Sequence, residues 1–352
     1  MIVRPATLAD LPALLALAHS AGAGLTTLPA DAGRLRSRLQ WAEQTFAGQA
    51  SRADADYLFV LQSAQGEVVG ICALAGAVGL REPWYNYRVG LFVAASKNLG
   101  INQQLPTLFL GNDMTGHSEL CSLFLHADHR QGLNGRLLSK ARFLFLAEFR
   151  ELFGDKVIAE MRGYSDEQGV SPFWEGLGRH FFKMDFADAD YLTGLGNKTF
   201  IAELMPKFPL PTCLLPEPAR AVIGRVHPNT EPALGMLKAE GFAFKDYIDI
   251  FDGGPLIECA TGDIRAVRDS QVLQLSIGTP GEQAQPYLVH NRQFADCRIS
   301  VAAARVAAGG APPPPPPTLI VSRNSARALE LPAGASVRAV SLAVPARQMS
   351  AA

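Results

Sequence analysis

Long apolar runs are missing from this chain, and so is any excess of one charge. The most apolar window, Ile71 to Leu80, has Gly70, Gly76 and Gly79 in or beside it. It is far shorter than the ~20 residues a membrane span requires, so it reads as a buried strand. Thirty-two basic residues face 33 acidic ones, a formal net charge of −1. No global field therefore gathers nucleic acid or anionic lipid, and neither is expected as a partner. Cysteine is sparse: Cys72, Cys121, Cys213, Cys259 and Cys297 are odd in number and lack CxxC spacing. That pattern argues against a disulfide framework or a zinc knuckle and fits a reducing cytoplasm. Met1 to Asp10 carries Arg4 and an acidic residue where an export signal needs an unbroken apolar stretch. What the chain does have is bulk apolar content, 48% of 352 residues, enough for one large core or two ordinary ones.

The apolar spacing predicts an α+β fold. Ile2 and Val3 suit a first strand, and Thr7 and Asp10 have capping-box spacing ahead of a helix striped by Leu11, Leu14, Leu15 and Ala18. Leu35, Leu39, Ala42 and Phe46 mark a second helix. Tyr57 to Gln62 and Val68 to Ala75 flank a polar turn with Gly66, a hairpin pattern. Leu120 to Leu125 is a further strand, followed by a glycine-containing loop, a long helix from about Gly135 to Phe153, and a strand from Val157 to Met161. Strand, tight loop, helix and strand in that order predict a crossover between parallel neighbours.

Residues 1–165 thus form one expected half and 166–270 a second. The second has a helix near Ser171 to Phe182, a strand near Phe200 to Leu204 and a helix near Glu231 to Glu240. Ser171 to Phe182 and Asn229 to Phe242 share a pattern that suggests internal duplication. Residues 271–352, with runs at Val272 to Ile277 and Val337 to Val344, are expected as a small β-rich module. Its run Pro312 to Pro317 should be an extended loop.

The best candidate site is the stretch from Leu123 through Leu125, Arg130, Gly132, Asn134 and Gly135 to Arg136, where a strand leaves and a helix opens. Free amides at a helix start favour a diphosphate, and Arg130 or Arg136 adds charge. A strand-to-helix loop with two glycines is also a common structural joint. His126 and His129 lack a third ligand, so no metal is expected. Cys121 on its strand suits a buried, inert thiol better than a nucleophile served by His117 or His227.

The opening Val3-Arg4-Pro5-Ala6-Thr7, the element order and the loop Arg130-Gln131-Gly132-Leu133-Asn134-Gly135 resemble the GCN5-related N-acetyltransferase superfamily. That resemblance implies a mixed central sheet flanked by helices, here in a duplicated, tandem arrangement. It also implies a strand that pairs with pantetheine and a loop that wraps the pyrophosphate of coenzyme A. Arg130 and Gly135 match the first and last loop positions, while Leu133 stands where a middle glycine is expected and Gly132 lies one position early.

A narrower likeness rests on Gly24 to Pro29, Pro83 to Gly90, Ser118 to Cys121, Ala159 to Gly163, Ser171 to Trp174 and Val226-His227-Pro228, over roughly residues 1–270. These segments resemble the arginine N-succinyltransferase family. The resemblance implies succinyl-coenzyme A as co-substrate with no permanently bound cofactor, and L-arginine, or possibly L-ornithine, as acceptor. It further implies His227 as proton donor, Leu123 as a coenzyme-binding position, and assembly with identical chains or a homologous subunit. On the residues alone, a histidine before proline is an ordinary surface position at the head of a helix; its titration near neutral pH is what suits it to proton transfer.

Overall fold

The runs at β2 (Asp56–Gln62) and β3 (Val68–Ala75) pair antiparallel across the Gly66 turn, as their spacing predicts. β1 (Ile2–Pro5) flanks β2. This computed structural model describes residues 1–21, 28–194, 199–307 and 317–343. The start of the Gly24 to Pro29 motif, most of the proline run and Val344 lie outside the described residues. Side-chain alternation explains why β2 and β3 are apolar throughout. Leu58, Val60, Ile71 and Ala73 face α1 (Leu11–Ala21) and α2 (Ala32–Phe46). Phe59, Leu61, Cys72 and Leu74 face α3 (Asn134–Glu148) on the other side. Each fully buried aliphatic or aromatic side chain of this kind stabilises the fold by about 1.5–3 kcal/mol.

β6 (Ser118–Leu125) continues the sheet beside β3, and β7 (Lys156–Glu160) follows α3 as the parallel neighbour of β6. The helix expected to reach Phe153 stops at Glu148, where Phe149 leaves helical geometry, and a 3-10 turn at Arg150–Leu152 completes the connection. β9 (Ala243–Ile248) and β10 (Pro255–Ala260) then pair onto β7, so strands from the expected second half extend the sheet of the first. Phe200 to Leu204, expected as a strand, is the helix Thr199–Leu204. Ile201 and Met205 are both buried, four residues apart, and Met205 N donates to Ile201 O, so burial there follows a helical rather than an alternating period.

Sequence reading missed β4 (Asn86–Ser96) and β5 (Ile101–Gly111), a ribbon paired over its full length. It joins the sheet through Tyr87 and Arg88 on β9 and through Thr107 and Leu108 on β8 (Leu210–Pro211). The C-terminal module is β-rich and closes on itself. β11 (Gln271–Ile277), β12 (Gln285–His290), β13 (Ile299–Ala307), β14 (Thr318–Val321) and β15 (Ser336–Ser341) form a ring in the order β12-β15-β11-β14-β13, with β13 back against β12. Its interior is small and aliphatic, with Leu273, Leu275, Val289, Ala302, Ala304 and Val337. It packs on α3 through Phe294, which lies 5.8 Å from Phe145 and 5.1 Å from Phe149 between ring centroids. Glu148 at the end of α3 accepts from Arg292 and Arg338 of the ring.

A second ion cluster holds the opposite flank of α3. Glu240, fully buried, accepts from Lys140 on α3, from Arg265 and from the Ala266 amide. Replacing Glu240 with alanine leaves two buried cations without an anion, a class of change that costs about 3–5 kcal/mol. Urea denaturation of Glu240→Ala should show a loss of that size, and a loss below about 1 kcal/mol would contradict the assignment.

Candidate functional site

β6 and β7 pair only at Ser118 with Val157 and Glu119 with Ile158, then part. From Leu120 to Leu125 the β7-facing side of β6 has no strand partner among the described residues, which leaves a wedge lined by main-chain groups. A bulge sits in the same stretch. Cys121 pairs with Ala73 and Phe124 with Ile71, so Ser122 and Leu123 together oppose Cys72, with Ser122 at φ 55°. Arg142 of α3, itself buried, donates to the carbonyls of Ala73 and Cys121 beside the bulge. Leu123 and Leu125 pack their side chains partly against the α3 core, so what the strand can offer a ligand is backbone.

The chain then turns into α3 through a short 3-10 segment at Ala127–His129. Gly132 takes the left-handed conformation, φ 58°, one residue before the position where the superfamily pattern expects a glycine. Among the described residues, the amides of Gly132, Leu133, Gly135 and Arg136 meet no carbonyl, and the backbone of Gly132 is exposed. These are the unsatisfied donors that a helix start presents to an anion. The polar side chains divide their work. Arg130 Nε donates to Leu125 O at 2.9 Å and its guanidinium lies 5.8 Å from the Phe124 ring, while Asn134 Nδ2 donates to His129 O. Those two brace the turn; Arg136 stands exposed at its edge. His126 turns its Nδ1 toward the Asp128 amide, and no group of three metal-ligating side chains occurs among the described residues.

The backbone at His227 is bonded to the end of β7, on the side of the wedge. Met161 N donates to Pro255 O on the β10 side of β7, so by strand alternation the carbonyl of Arg162 points to the side that β6 has left. That carbonyl accepts from His227 N at 2.8 Å, and the neighbouring Val226 bridges Gly163. Asn229 N donates to His227 Nδ1 at 3.1 Å. Partial burial, and then the charge of Arg162, hold the imidazole below its ordinary pKa. Arg162 in turn donates to Ser165 Oγ, and Arg225 lies over the Tyr164 ring, so the mouth is cationic. Arg225 was not anticipated from the sequence, because a single arginine in an irregular segment carries no pattern.

Cys121 faces the α1 and α2 layer, where burial, with Glu119 adding, pushes its thiol up to about 12; it is a poor nucleophile. No residue of β6, the turn or the His227 segment lines the surface hollow on α2 around Gln40 and Glu43, or the one around Tyr85 and Asn112.

A parallel pair that parts beside a turn of free amides suits an acyl-coenzyme A-dependent N-acyltransferase, and this protein is one. A model of the family described as "Arginine N-succinyltransferase beta subunit" matches residues 1–266. The chain is 68% identical over 347 residues to "Arginine N-succinyltransferase subunit beta" of Pseudomonas aeruginosa, covering 99% of this chain and 100% of the relative. It is 48% identical over 344 residues to "Arginine N-succinyltransferase" of Escherichia coli (strain 55989 / EAEC), covering 97% and 98%. A solved structure, arginine/ornithine succinyltransferase subunit AI from Pseudomonas aeruginosa, superposes with a TM-score of 0.86 at 39% identity, covering 97% and 98% of the two chains. The chain belongs to the arginine N-succinyltransferase family. The sequence motifs stop near residue 270, but the likeness to these relatives runs on through the β11–β15 ring, so the tail is part of the family's chain.

Gly135 offers a direct probe of the turn. A Cβ there would meet nothing within 4 Å, and an acidic residue in the first turn of a helix is favourable to the helix itself. Gly135→Asp should therefore keep its melting temperature within a few degrees while weakening coenzyme A binding by at least roughly ten-fold in calorimetry, because its carboxylate competes for the amides. Unchanged affinity would show that the diphosphate binds elsewhere.

Proposed function

We propose that this protein transfers the succinyl group of succinyl-coenzyme A to the α-amine of L-arginine, giving N2-succinylarginine and coenzyme A by direct attack in a ternary complex. The observation that carries the reading is the parting of β6 from β7 next to an open amide turn, with the His227 backbone bonded to the end of β7. Pantetheine would lie along the unpaired edge of Leu120 to Leu125, its diphosphate on the amides from Gly132 to Arg136.

The α-amine nitrogen forms a bond to the thioester carbon, the carbon–sulfur bond breaks, and one proton passes from nitrogen to sulfur. His227 is placed for that exchange. The Asn229 amide can only donate, so His227 Nδ1 holds the lone pair and the ring proton sits on Nε2. The neutral ring takes up the proton that the nitrogen loses, becoming imidazolium, and Nε2 gives one proton to the departing sulfur, which restores the neutral ring. Partial burial, with Arg162 adding, favours the neutral ring, and Arg162 adds a cation suited to a substrate carboxylate. Ornithine, shorter but with the same α-amine, is a possible second acceptor. Site and chemistry both fit a cytoplasmic enzyme, and among the described residues no helix is long and apolar enough to cross a membrane.

The β4–β5 ribbon supports assembly with a homologous chain. Leu91, Phe92, Val93 and Leu99 are all more than half exposed on it, and a lone two-stranded ribbon is only marginally stable in water. The purified protein should release thiol from succinyl-coenzyme A only when arginine is present, fail to do so with acetyl-coenzyme A, and sediment as more than one chain. Activity that requires a second polypeptide would instead mark this chain as a supporting subunit, and a single-chain mass would refute assembly.

His227→Ala should lower kcat by roughly a hundred-fold without loss of folded structure. Because the ring's pKa lies below its usual value, the wild-type rate should fall only as pH drops beneath about 6.5 and protonation removes the neutral form. The variant should lose that acid limb. Near-normal turnover, or an acid limb kept by the variant, would remove His227 from the mechanism.

A further inference from the structure

We infer that Asp252, a buried side chain in the β9–β10 turn, is a positioning residue that sets where His227 stands. His227 follows a segment whose Val222, Ile223 and Val226 pack on the two cores. Its place depends on backbone: His227 N on Arg162 O at 2.8 Å, Val226 bridged to Gly163, and Gly224 N on Gly253 O at 2.8 Å. All three tie it to two strips, the end of β7 at Arg162–Gly163 and the turn at Asp252–Gly254. The Asp252 carboxylate joins those strips. Its Oδ2 accepts from Gly163 N at 2.6 Å and its Oδ1 from Gly254 N at 2.8 Å. Strand alternation makes the link specific: Gly163 turns its amide to Asp252 on one side, while Arg162 turns its carbonyl to His227 on the other.

The glycines show how closely the strips approach. A Cβ at Gly254 would sit 2.2 Å from Met161 O, and one at Gly163 would sit 2.5 Å from Asp252 Oδ1. The carboxylate carries the join onward from the Met161 N to Pro255 O bond, reaching Gly163 beyond the end of the β7–β10 ladder. The turn is itself braced by Asp249, whose Oδ1 accepts from the amides of Phe251 and Asp252. A carboxylate buried beside another carboxylate is an expensive way to close a turn. A turn that only had to reverse the chain would not need it.

This inference rests on the acid-base reading of His227, and a double-mutant cycle separates the two. Asp252→Asn keeps the shape but sets an NH2 group against one of the two amides. Displacing a proton-transfer group by a fraction of an ångström should cost roughly ten- to hundred-fold in kcat. The KM for succinyl-coenzyme A should stay unchanged, because the turn before α3 is untouched. Asp252→Asn added to His227→Ala should cost nothing further, since a residue acting through His227 has nothing left to position. Gly163→Ala, which pushes the carboxylate away from the other side, should give the same pattern and serves if Asp252→Asn does not fold. Wild-type kcat in the folded Asp252→Asn protein, or losses that multiply in the double variant, would overturn the inference while leaving His227 in place. Wild-type kcat in His227→Ala would overturn the acid-base reading and this inference with it.

Discussion

The separation of two parallel strands after two rungs governs the rest of the structure. Buried main-chain donors and acceptors need partners, so a strand that leaves its neighbour inside a fold must be given something else to bond. Here the β7 side is partly answered from within, where the His227 segment takes the carbonyl of Arg162. The β6 side is left open from Leu120 onward. Under the proposed function an extended ligand with amide groups of its own would complete the ladder there, beside the bulge at Ser122–Leu123.

The supports around the wedge are stiff where it needs them. α3 carries the anion-binding turn at one end and is fixed along its length, to Glu240 on one flank and through its own Glu148 to the C-terminal ring. Its aromatic residues interlock with Phe46, Tyr57 and Phe59 from the first strands and α2. Rigid helix, open turn and parted strands are together the features on which the proposed coenzyme A site rests. The ring of β11 to β15 adds no reactive group to the wedge; its physical contribution is the clamp on α3.

Much of this was legible in the sequence, for reasons that can be named. β2, β3, β6, α3 and β7 are patterned by burial on sheet faces, and such periodicity survives without any tertiary knowledge. The turn from Arg130 to Arg136 was visible because glycines and a helix start coincide, although the left-handed residue proved to be Gly132 and not the one after it. Phe200 to Leu204 looked like a strand because a short apolar run carries no period; only the burial of Ile201 with Met205 shows the helix. β4 and β5 were missed because Leu91, Phe92 and Val93 face outward without alternation, and a ribbon that packs on little has no buried face to read. Asp252 was invisible for a different reason. Its meaning lies in a contact with Gly163, 89 residues away, and no local pattern encodes that.

Amide hydrogen exchange with and without coenzyme A tests the central claim most directly. If the wedge is the ligand's missing partner, binding should slow exchange in peptides spanning Leu120 to Leu125 and Gly132 to Arg136, and leave the β11–β15 ring as it was. Protection confined to other segments, or none on β6, would contradict the account.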